Sequence, residues 1–293
     1  MNIPHVLTLL GFASGIAANN ADCALGPKYL YEHPQLFQDF PLKTHWPLIV
    51  EARSSARGLN IVSVLEKKLH ELGTAVQALV ANNQPFCVIG GDHSCAMGTW
   101  EAVAQVKRSA GDIGLIWIDA HLDAHTPETT STQNIHGMPV AHLLGQGLDG
   151  LCHLFDNKAA LKPENLCLIG IRSYEKGELA LLKRLGVKIY FMEEVRQRGL
   201  THVFAEARTQ VMQSTCGFGV SIDMDAIDPG DAPGVGCPES GGISGIDLIQ
   251  TLTQIAEDPA LIGLEFAEYN PILDENEKTA ILLVALIRAV FAT

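Results

Sequence analysis

The sequence has no paired cysteine motif, no basic stretch and no long uncharged apolar run, and each absence excludes a class of protein. Its seven cysteines stand singly, which argues against a disulfide framework and favours a reducing compartment. The 20 lysines and arginines are scattered in a chain of formal net charge −13, so we expect no nucleic-acid partner. No uncharged apolar run reaches the roughly 18 to 20 residues that span a bilayer. We therefore expect no contact with a membrane.

The two most apolar segments lie near the ends of the chain. Residues 6–18 are apolar and end in small residues, as in a secretory signal, but residues 1–5 contain no Lys or Arg. We interpret Val6 to Gly11 as a first strand and expect a cytoplasmic protein. Residues 279–292 are interrupted by Arg288, so we interpret them as a packed C-terminal helix.

Strand-like and helix-like segments alternate along the 293 residues, which is the pattern of a parallel sheet with helices on both faces. We see no linker, and we predict one three-layer α/β domain over 1–293. No predicted strand is followed by the glycine-rich motif Gly-x-Gly-x-x-Gly, so a nucleotide-binding module is only a weak alternative. Besides residues 6–11, the predicted strands are 86–89, 113–118, 166–170, 188–191, 217–222 and 261–266, and the predicted helices are 61–80, 94–107, 176–185, 200–213, 244–256 and 277–290.

The segment from Ile116 to His125, Ile-Trp-Ile-Asp-Ala-His-Leu-Asp-Ala-His, ends in metal-binding side chains at every second position. In an extended backbone, Asp119, His121 and Asp123 would point to one face. The apolar strand before them places these side chains at the carboxyl end of a parallel sheet, where open α/β sheets have their active sites. Burying three such groups together is costly without a cation, so we predict a metal site.

Two further predicted strands end in similar residues. Asp223 and Asp225 would share one face after the strand at 217–222, and His93 would stand at a strand-to-helix turn after Gly90-Gly91-Asp92. Singly, these residues have simpler interpretations, namely a turn or cap, a tight glycine turn and a core histidine. Together the three strand ends supply two histidines and four carboxylates, which suits two oxygen-preferring divalent ions, manganese first among them, better than one zinc ion.

In this order, the three motifs resemble the ureohydrolase family, which includes arginases and agmatinases. The resemblance extends from Leu10-Gly11 and Leu25-Gly26-Pro27 to Glu268-Tyr269-Asn270-Pro271, nearly the whole chain. It implies an arginase-like fold with a mainly parallel sheet of about eight strands, and two manganese(II) ions per subunit whose bridging hydroxide attacks a guanidinium carbon. The implied ligands are His93, Asp119, His121, Asp123, Asp223 and Asp225.

The resemblance also implies catalytic roles and an assembly. Asp123 would pass a proton to the leaving amine, His136 would shuttle protons and Glu268 would hold the guanidinium. Alternatively, His136 caps a helix and Glu268 pairs with Arg172. A homo-oligomer, trimer or hexamer, is implied as well.

Two long irregular segments, 124–136 and 228–243, follow ligand strands and are expected to carry binding residues. The loop 130–139, which overlaps the first segment, looks more like arginases than agmatinases. Its hydroxyls and Asn134 would grip an α-carboxylate, unless they are only a solvated turn. The expected substrate-binding residues are His125, Thr130, Thr132 and Asn134, with Glu175 and Glu178 for the α-amino group.

Three residues depart from the common arginase pattern. His125 replaces an Asn, Glu175 replaces a shorter Asp, and Cys237 replaces a Thr. We interpret Cys237 as a small packing residue, with a redox-sensitive thiol as the alternative.

We therefore predict hydrolysis of L-arginine to L-ornithine and urea. One alternative is another ureohydrolase, an agmatinase, guanidinobutyrase or formiminoglutamase. The other is a metal-binding homologue without catalytic activity.

Overall fold

The computed structural model describes residues 6–291, in which eight strands form one sheet. The strands are β1 (Val6–Ala13), β2 (Lys43–Glu51), β3 (Phe86–Gly90), β4 (Asp112–Ile118), β5 (Leu166–Ile171), β6 (Lys188–Phe191), β7 (Thr215–Asp223) and β8 (Leu261–Ala267). Their order is β2-β1-β3-β8-β7-β4-β5-β6, and every neighbouring pair is parallel. The predicted parallel sheet is confirmed.

Ten α-helices and several short 3₁₀ turns connect these strands within residues 6–291. The helices are α1 (Gly26–Glu32), α2 (Val62–Ala81), α3 (Cys95–Lys107), α4 (Pro139–Leu143), α5 (Asp149–Cys152), α6 (Lys176–Leu185), α7 (Met192–Arg198), α8 (Leu200–Val211), α9 (Gly245–Leu252) and α10 (Lys278–Phe291). The 3₁₀ turns that matter for the site are Ala21–Leu25, Ile135–Gly137 and Met224–Ala226.

Helices cover both faces of the sheet, which confirms the predicted three layers. Ile116 and Ile118 of β4 belong to the core that includes residues of α8, α9 and α10. Leu115 and Trp117 point the other way, into the core that includes residues of α2 and α3. Because β4 is buried on both faces, its sequence is a continuous apolar run.

The sequence analysis missed β2, which is an edge strand. Its residues are mostly exposed or half-buried, and Pro47 lies in its middle. An edge strand tolerates a proline because the backbone N–H groups on its outer side need no hydrogen-bond partner. Because an edge strand is only partly buried, β2 also lacks the continuous apolar run by which the inner strands were predicted.

The two apolar end segments fold as predicted where they are described. Residues 6–13 form β1, and α10 ends at Phe291. Residues 1–5 and Ala292, which also belong to those predictions, lie outside the described residues. Asp274 accepts hydrogen bonds from the backbone N–H groups of Thr279 and Ala280 and so caps α10. Among residues 6–291, no helix is both long and apolar enough to cross a membrane.

The four central strands bring the predicted site residues to one edge of the sheet. Strands β3, β8, β7 and β4 are consecutive neighbours. His93 follows β3, Glu268 follows β8, Asp223 ends β7 and Asp119 follows β4. The carboxyl ends of parallel strands meet at the same edge, so these side chains converge.

Candidate metal centre

The six predicted ligands, here called the metal cluster, lie around two histidines. His93, at the turn between β3 and α3, is completely buried. Its Nδ1 lies 3.4 Å from Asp119 Oδ2, 3.3 Å from Asp123 Oδ2 and 3.0 Å from Asp223 Oδ2. Among the described residues this nitrogen has no partner with hydrogen-bond geometry. Three carboxylate oxygens therefore lie within 3.4 Å of one imidazole nitrogen, and His93, Asp119 and Asp123 could hold one ion together.

His121 forms the second half of the metal cluster. Its Nδ1 lies 3.5 Å from Asp119 Oδ1 and 3.2 Å from Asp225 Oδ2. Asp119 belongs to both halves, because its Oδ2 faces His93 and its Oδ1 faces His121. A carboxylate shared in this way would be able to hold two ions at once.

Neighbouring donors fix the shared carboxylate of Asp119. The indole Nε1 of Trp117 donates to Oδ2 at 2.8 Å, and the backbone N–H of His121 donates to Oδ1 at 2.7 Å. Asp223 is held similarly, since its Oδ1 accepts from the backbone N–H of Asp225 at 2.8 Å. These bonds orient the carboxylates before any ion arrives.

The convergence of the ligands does not arise from the strand alternation that the sequence analysis assumed. Strand β4 ends at Ile118, so Asp119, His121 and Asp123 lie in irregular backbone. Asp123 has a left-handed backbone with φ of 47°. Likewise, Asp225 lies in the 3₁₀ turn after β7 and not on an extended strand. The expectation of shared faces was wrong in its geometry, although the side chains do meet.

A polar chain behind His93 orients its imidazole. Nε2 lies 3.0 Å from Ser221 Oγ, and Ser221 donates to Glu265 Oε1 at 2.8 Å. Because the Ser221 hydroxyl hydrogen is donated to Glu265, Nε2–H donates to Ser221. Burial opposes the charged imidazole, but the three carboxylates raise the pKa of His93 well above its usual range, so an ion bound at Nδ1 would take the place of a proton there. The imidazole also stacks on Trp117 at a centroid distance of 4.1 Å.

The electrostatics of the metal cluster favour a cation. Burial raises the pKa of Asp123 to about 7, and the nearby Asp119 carboxylate adds to the shift. Burial and neighbouring carboxylates also raise the pKa of Asp223. Concentrated, desolvated negative charge of this kind is stabilised by divalent ions. The oxygen-rich donors and the orphaned Nδ1 of His93 fit a binuclear metal centre.

His136 and Glu268 form a pair beside the metal cluster. Glu268 is buried, with a left-handed backbone of φ 65°. Its Oε1 accepts from the backbone N–H of His93 at 3.0 Å and lies 3.0 Å from His136 Nδ1. Arg172 instead donates to the carbonyl oxygens of Asp225 and Glu239, so the alternative pairing of Glu268 with Arg172 is wrong.

The His136–Glu268 pair is charged. Burial alone would lower the pKa of His136, but the Glu268 carboxylate raises this pKa to about 9. Burial opposes the charged form of Glu268 as well, but His136 holds the pKa of that carboxyl below its usual range. A buried acceptor and a protonated imidazole therefore stand next to the ligand His93.

The predicted substrate residues follow β4 and β5 at the same edge of the sheet as the metal cluster. They are here called the substrate rim: His125, Thr130, Thr132, Asn134, Glu175 and Glu178. The hydroxyl of Thr130 accepts from Gln133 N at 2.9 Å, and that of Thr132 accepts from Asn134 N at 3.2 Å. Both hydroxyl hydrogens stay available for a ligand. The Asn134 side chain makes no hydrogen bond to another residue of 6–291.

The acidic side of the substrate rim is more constrained. Glu178 is buried and accepts from the backbone N–H groups of Ala124 and Glu175, at 3.1 and 2.9 Å. It thus ties the start of the loop to the start of α6. Glu175 is exposed. His125 Nε2 lies between them, 3.4 Å from Glu178 Oε2 and 3.8 Å from Glu175 Oε1.

Cys237 is exposed, so its interpretation as a packing residue is wrong.

Three residues next to the site were not singled out from the sequence. Ser221 and Glu265 are polar residues inside otherwise apolar strands, and that was the available signal. Cys23 carried no comparable signal, because its partner Glu268 lies far along the chain.

The sequence and the fold were compared with known proteins. A model of the arginase family matches residues 6–292. The chain is 39% identical to the arginase of Bacillus caldovelox over 253 residues, which cover 86% of the chain and 83% of that protein. It is 42% identical to the arginase of Brevibacillus brevis over 221 residues, 75% of the chain and 73% of that protein. The crystal structure of arginase from Bacillus cereus superposes with a TM-score of 0.90 and 30% identity, covering 98% of both chains.

Proposed function

The chain belongs to the arginase family and is a hydrolase of guanidino compounds, and we propose that it converts L-arginine and water to L-ornithine and urea with two manganese(II) ions. The observation that carries this proposal is the pair of donor sets that share Asp119. One set contains His93 and Asp123, and the other contains His121 and Asp225. Two ions held by these two sets would be suited to activating water for attack on an electrophilic carbon.

We assign the six residues of the metal cluster as ligands, with Asp119, Asp123 and Asp223 as bridging or bidentate groups. When bound, the ions supply the positive charge that lowers the pKa of a coordinated water. The backbone bonds to Asp119 and Asp223 hold their oxygens in place for this task. Manganese is proposed because the set is rich in carboxylates.

Three residues handle the substrate and its protons in this proposal. Glu268 accepts a hydrogen bond from the guanidinium and so orients its carbon. Asp123 carries a proton on Oδ2 to the leaving amine. His136 is one-fifth exposed, with its side chain at 21%, and exchanges protons between the site and solvent.

The substrate rim recognises the amino-acid end of arginine. The free hydroxyl hydrogens of Thr130 and Thr132 and the amide of Asn134 donate to the α-carboxylate, with His125 beside them. Glu175 binds the α-ammonium group, since it is the exposed acid of the pair. Glu178 acts through the position of Ala124 and Glu175. Agmatine lacks the carboxylate that this arrangement would bind.

We further propose a single ureohydrolase domain over 1–293, a homo-oligomer (trimer or hexamer) and a cytoplasmic setting. The family match over residues 6–292 supports the first two. Seven unpaired thiols support the third, because they suit a reducing compartment.

A release assay tests the proposal. The purified protein is stripped of metal, reloaded separately with manganese, cobalt, nickel or iron, and incubated with arginine, agmatine, guanidinobutyrate and formiminoglutamate. Urea, or formamide in the case of formiminoglutamate, is measured together with the amine product. We expect the highest kcat/KM with manganese and arginine. Preference for another compound would favour the alternative ureohydrolases, and no turnover of any compound would favour an inactive homologue.

A further inference from the structure

Glu268 has more hydrogen-bond partners than its proposed role requires. Its Oε1 is used by the backbone N–H of His93 and by His136. Its Oε2 accepts from the thiol of Cys23 at 3.2 Å. Each carboxylate oxygen accepts about two hydrogen bonds. Among the described residues, therefore, one acceptor position remains, and it is on Oε2.

Cys23 is held where it makes this contact. It lies in the 3₁₀ turn Ala21–Leu25 and is completely buried. Its sulfur also lies 3.6 Å from the carbonyl oxygen of Glu268. Burial and the Glu268 carboxylate raise the pKa of the thiol far above its usual range, so it stays protonated and donates.

Gly236 closes the other side of this contact. A Cβ at residue 236 would lie 3.0 Å from the Cys23 sulfur and 3.1 Å from Glu268 Oε2. The backbone of the 228–243 loop therefore packs directly against the thiol and the carboxylate. A side chain at residue 236 would therefore crowd both groups, and glycine leaves their contact intact.

We infer that Cys23 is a positioning residue for Glu268. Its S–H occupies one acceptor position of Oε2 and fixes the carboxylate plane, so that the guanidinium receives a single N–H···O bond and not a two-pronged one. The inference rests on the proposed function of Glu268. A thiol suits this role because it is a weak donor and leaves negative charge on Oε2 for the substrate.

Kinetics of matched variants test the inference. Cys23→Ala removes the donor. Cys87→Ala removes an equally buried thiol from β3, whose one hydrogen bond among the described residues goes to the Val88 carbonyl oxygen. We expect kcat/KM for arginine to fall about tenfold or more in Cys23→Ala, as for a lost bond to a charged group, and less than about threefold in Cys87→Ala. Cys23→Ser should restore activity to within about threefold of the wild type.

A double-mutant cycle separates positioning from stability. If Cys23 acts only through Glu268, then Cys23→Ala in a Glu268→Ala background should change kcat/KM less than about twofold. An equal loss in both backgrounds, or an equal loss in Cys23→Ala and Cys87→Ala, would overturn the inference.

Infrared spectroscopy tests the contact without turnover. The S–H stretching band of Cys23, obtained as the difference between the wild type and Cys23→Ala, should lie at lower frequency than that of Cys87. It should move to higher frequency in Glu268→Ala. A band that ignores the loss of Glu268 would contradict the inference. Should the wild type hydrolyse no guanidino compound, the proposed function fails, and this measurement still tests whether Cys23 donates to Glu268.

Discussion

The metal cluster and the substrate rim lie at the same edge of the sheet but are held in different ways. Asp119 receives donors on both oxygens, and His93 is backed by the Ser221–Glu265 chain, all of it buried. Thr130 and Thr132 bond only to their own turn, and Glu175 is exposed. In the proposed function, the packed core would hold the metal ligands, while Thr130 and Thr132, which bond only within their own turn, would bind the substrate. Substrate preference could therefore change without rebuilding the metal site.

The largest effect should come from Asp123→Asn, which tests the constrained region. Asn also tolerates the left-handed backbone that Asp123 adopts, so the fold should survive. Loss of the negative charge and of the proton carrier should lower kcat by about a thousandfold or more and weaken manganese binding. Steady-state kinetics and metal titration measure both. Asp231→Asn, which alters an acid bonded to the backbone of Gly245, is the control. Near-normal activity of Asp123→Asn would exclude it as a ligand.

Metal removal should have the next largest effect, and that effect should depend on pH. Asp123 has a pKa raised from 3.8 to about 7 in the folded metal-free protein. A carboxyl group whose pKa is higher in the folded protein than in the unfolded chain costs no stability at a pH below its unfolded pKa. As the pH rises through its folded pKa, the free energy of unfolding falls. The ions offset that loss, so their stabilisation should grow from pH 5 to pH 8 by on the order of a few kcal/mol. Thermal unfolding with and without chelator measures this stabilisation. A difference between the two melting temperatures that does not change with pH would contradict the electrostatic account.

The smallest effect should come from the substrate rim. Asn134→Ala should raise KM for arginine about tenfold, since one neutral hydrogen bond to a carboxylate is lost, and should leave agmatine kinetics and Tm nearly unchanged. Ser131→Ala, an exposed neighbour in the same loop, is the matched control. Equal losses with both substrates would show that Asn134 shapes the loop and does not read the carboxylate.

The sequence was informative where residue type alone determines the chemistry. Apolar runs located the buried strands, and Asp and His residues after them identified the candidate ligands. Backbone geometry was not accessible in this way, because the left-handed turn at Asp123 depends on tertiary contacts such as its carbonyl oxygen with the N–H of Val140. Long-range pairs were equally hidden, since Cys23 and Glu268 are 245 positions apart. The edge strand β2 lacked an apolar run because it is only partly buried.

The position of β8 in the sheet has a consequence for how the protein is made. β8 and β7 separate β3 from β4 by about three strand spacings, roughly 14 Å. His93 and Asp119 are translated early, yet the strands that set their spacing are translated late, and β8 begins only at Leu261. A nascent chain therefore emerges with four of its six proposed ligands before the strands that set their spacing. We expect the ions to be captured only after Ala267 has left the ribosome, in the final stage of folding.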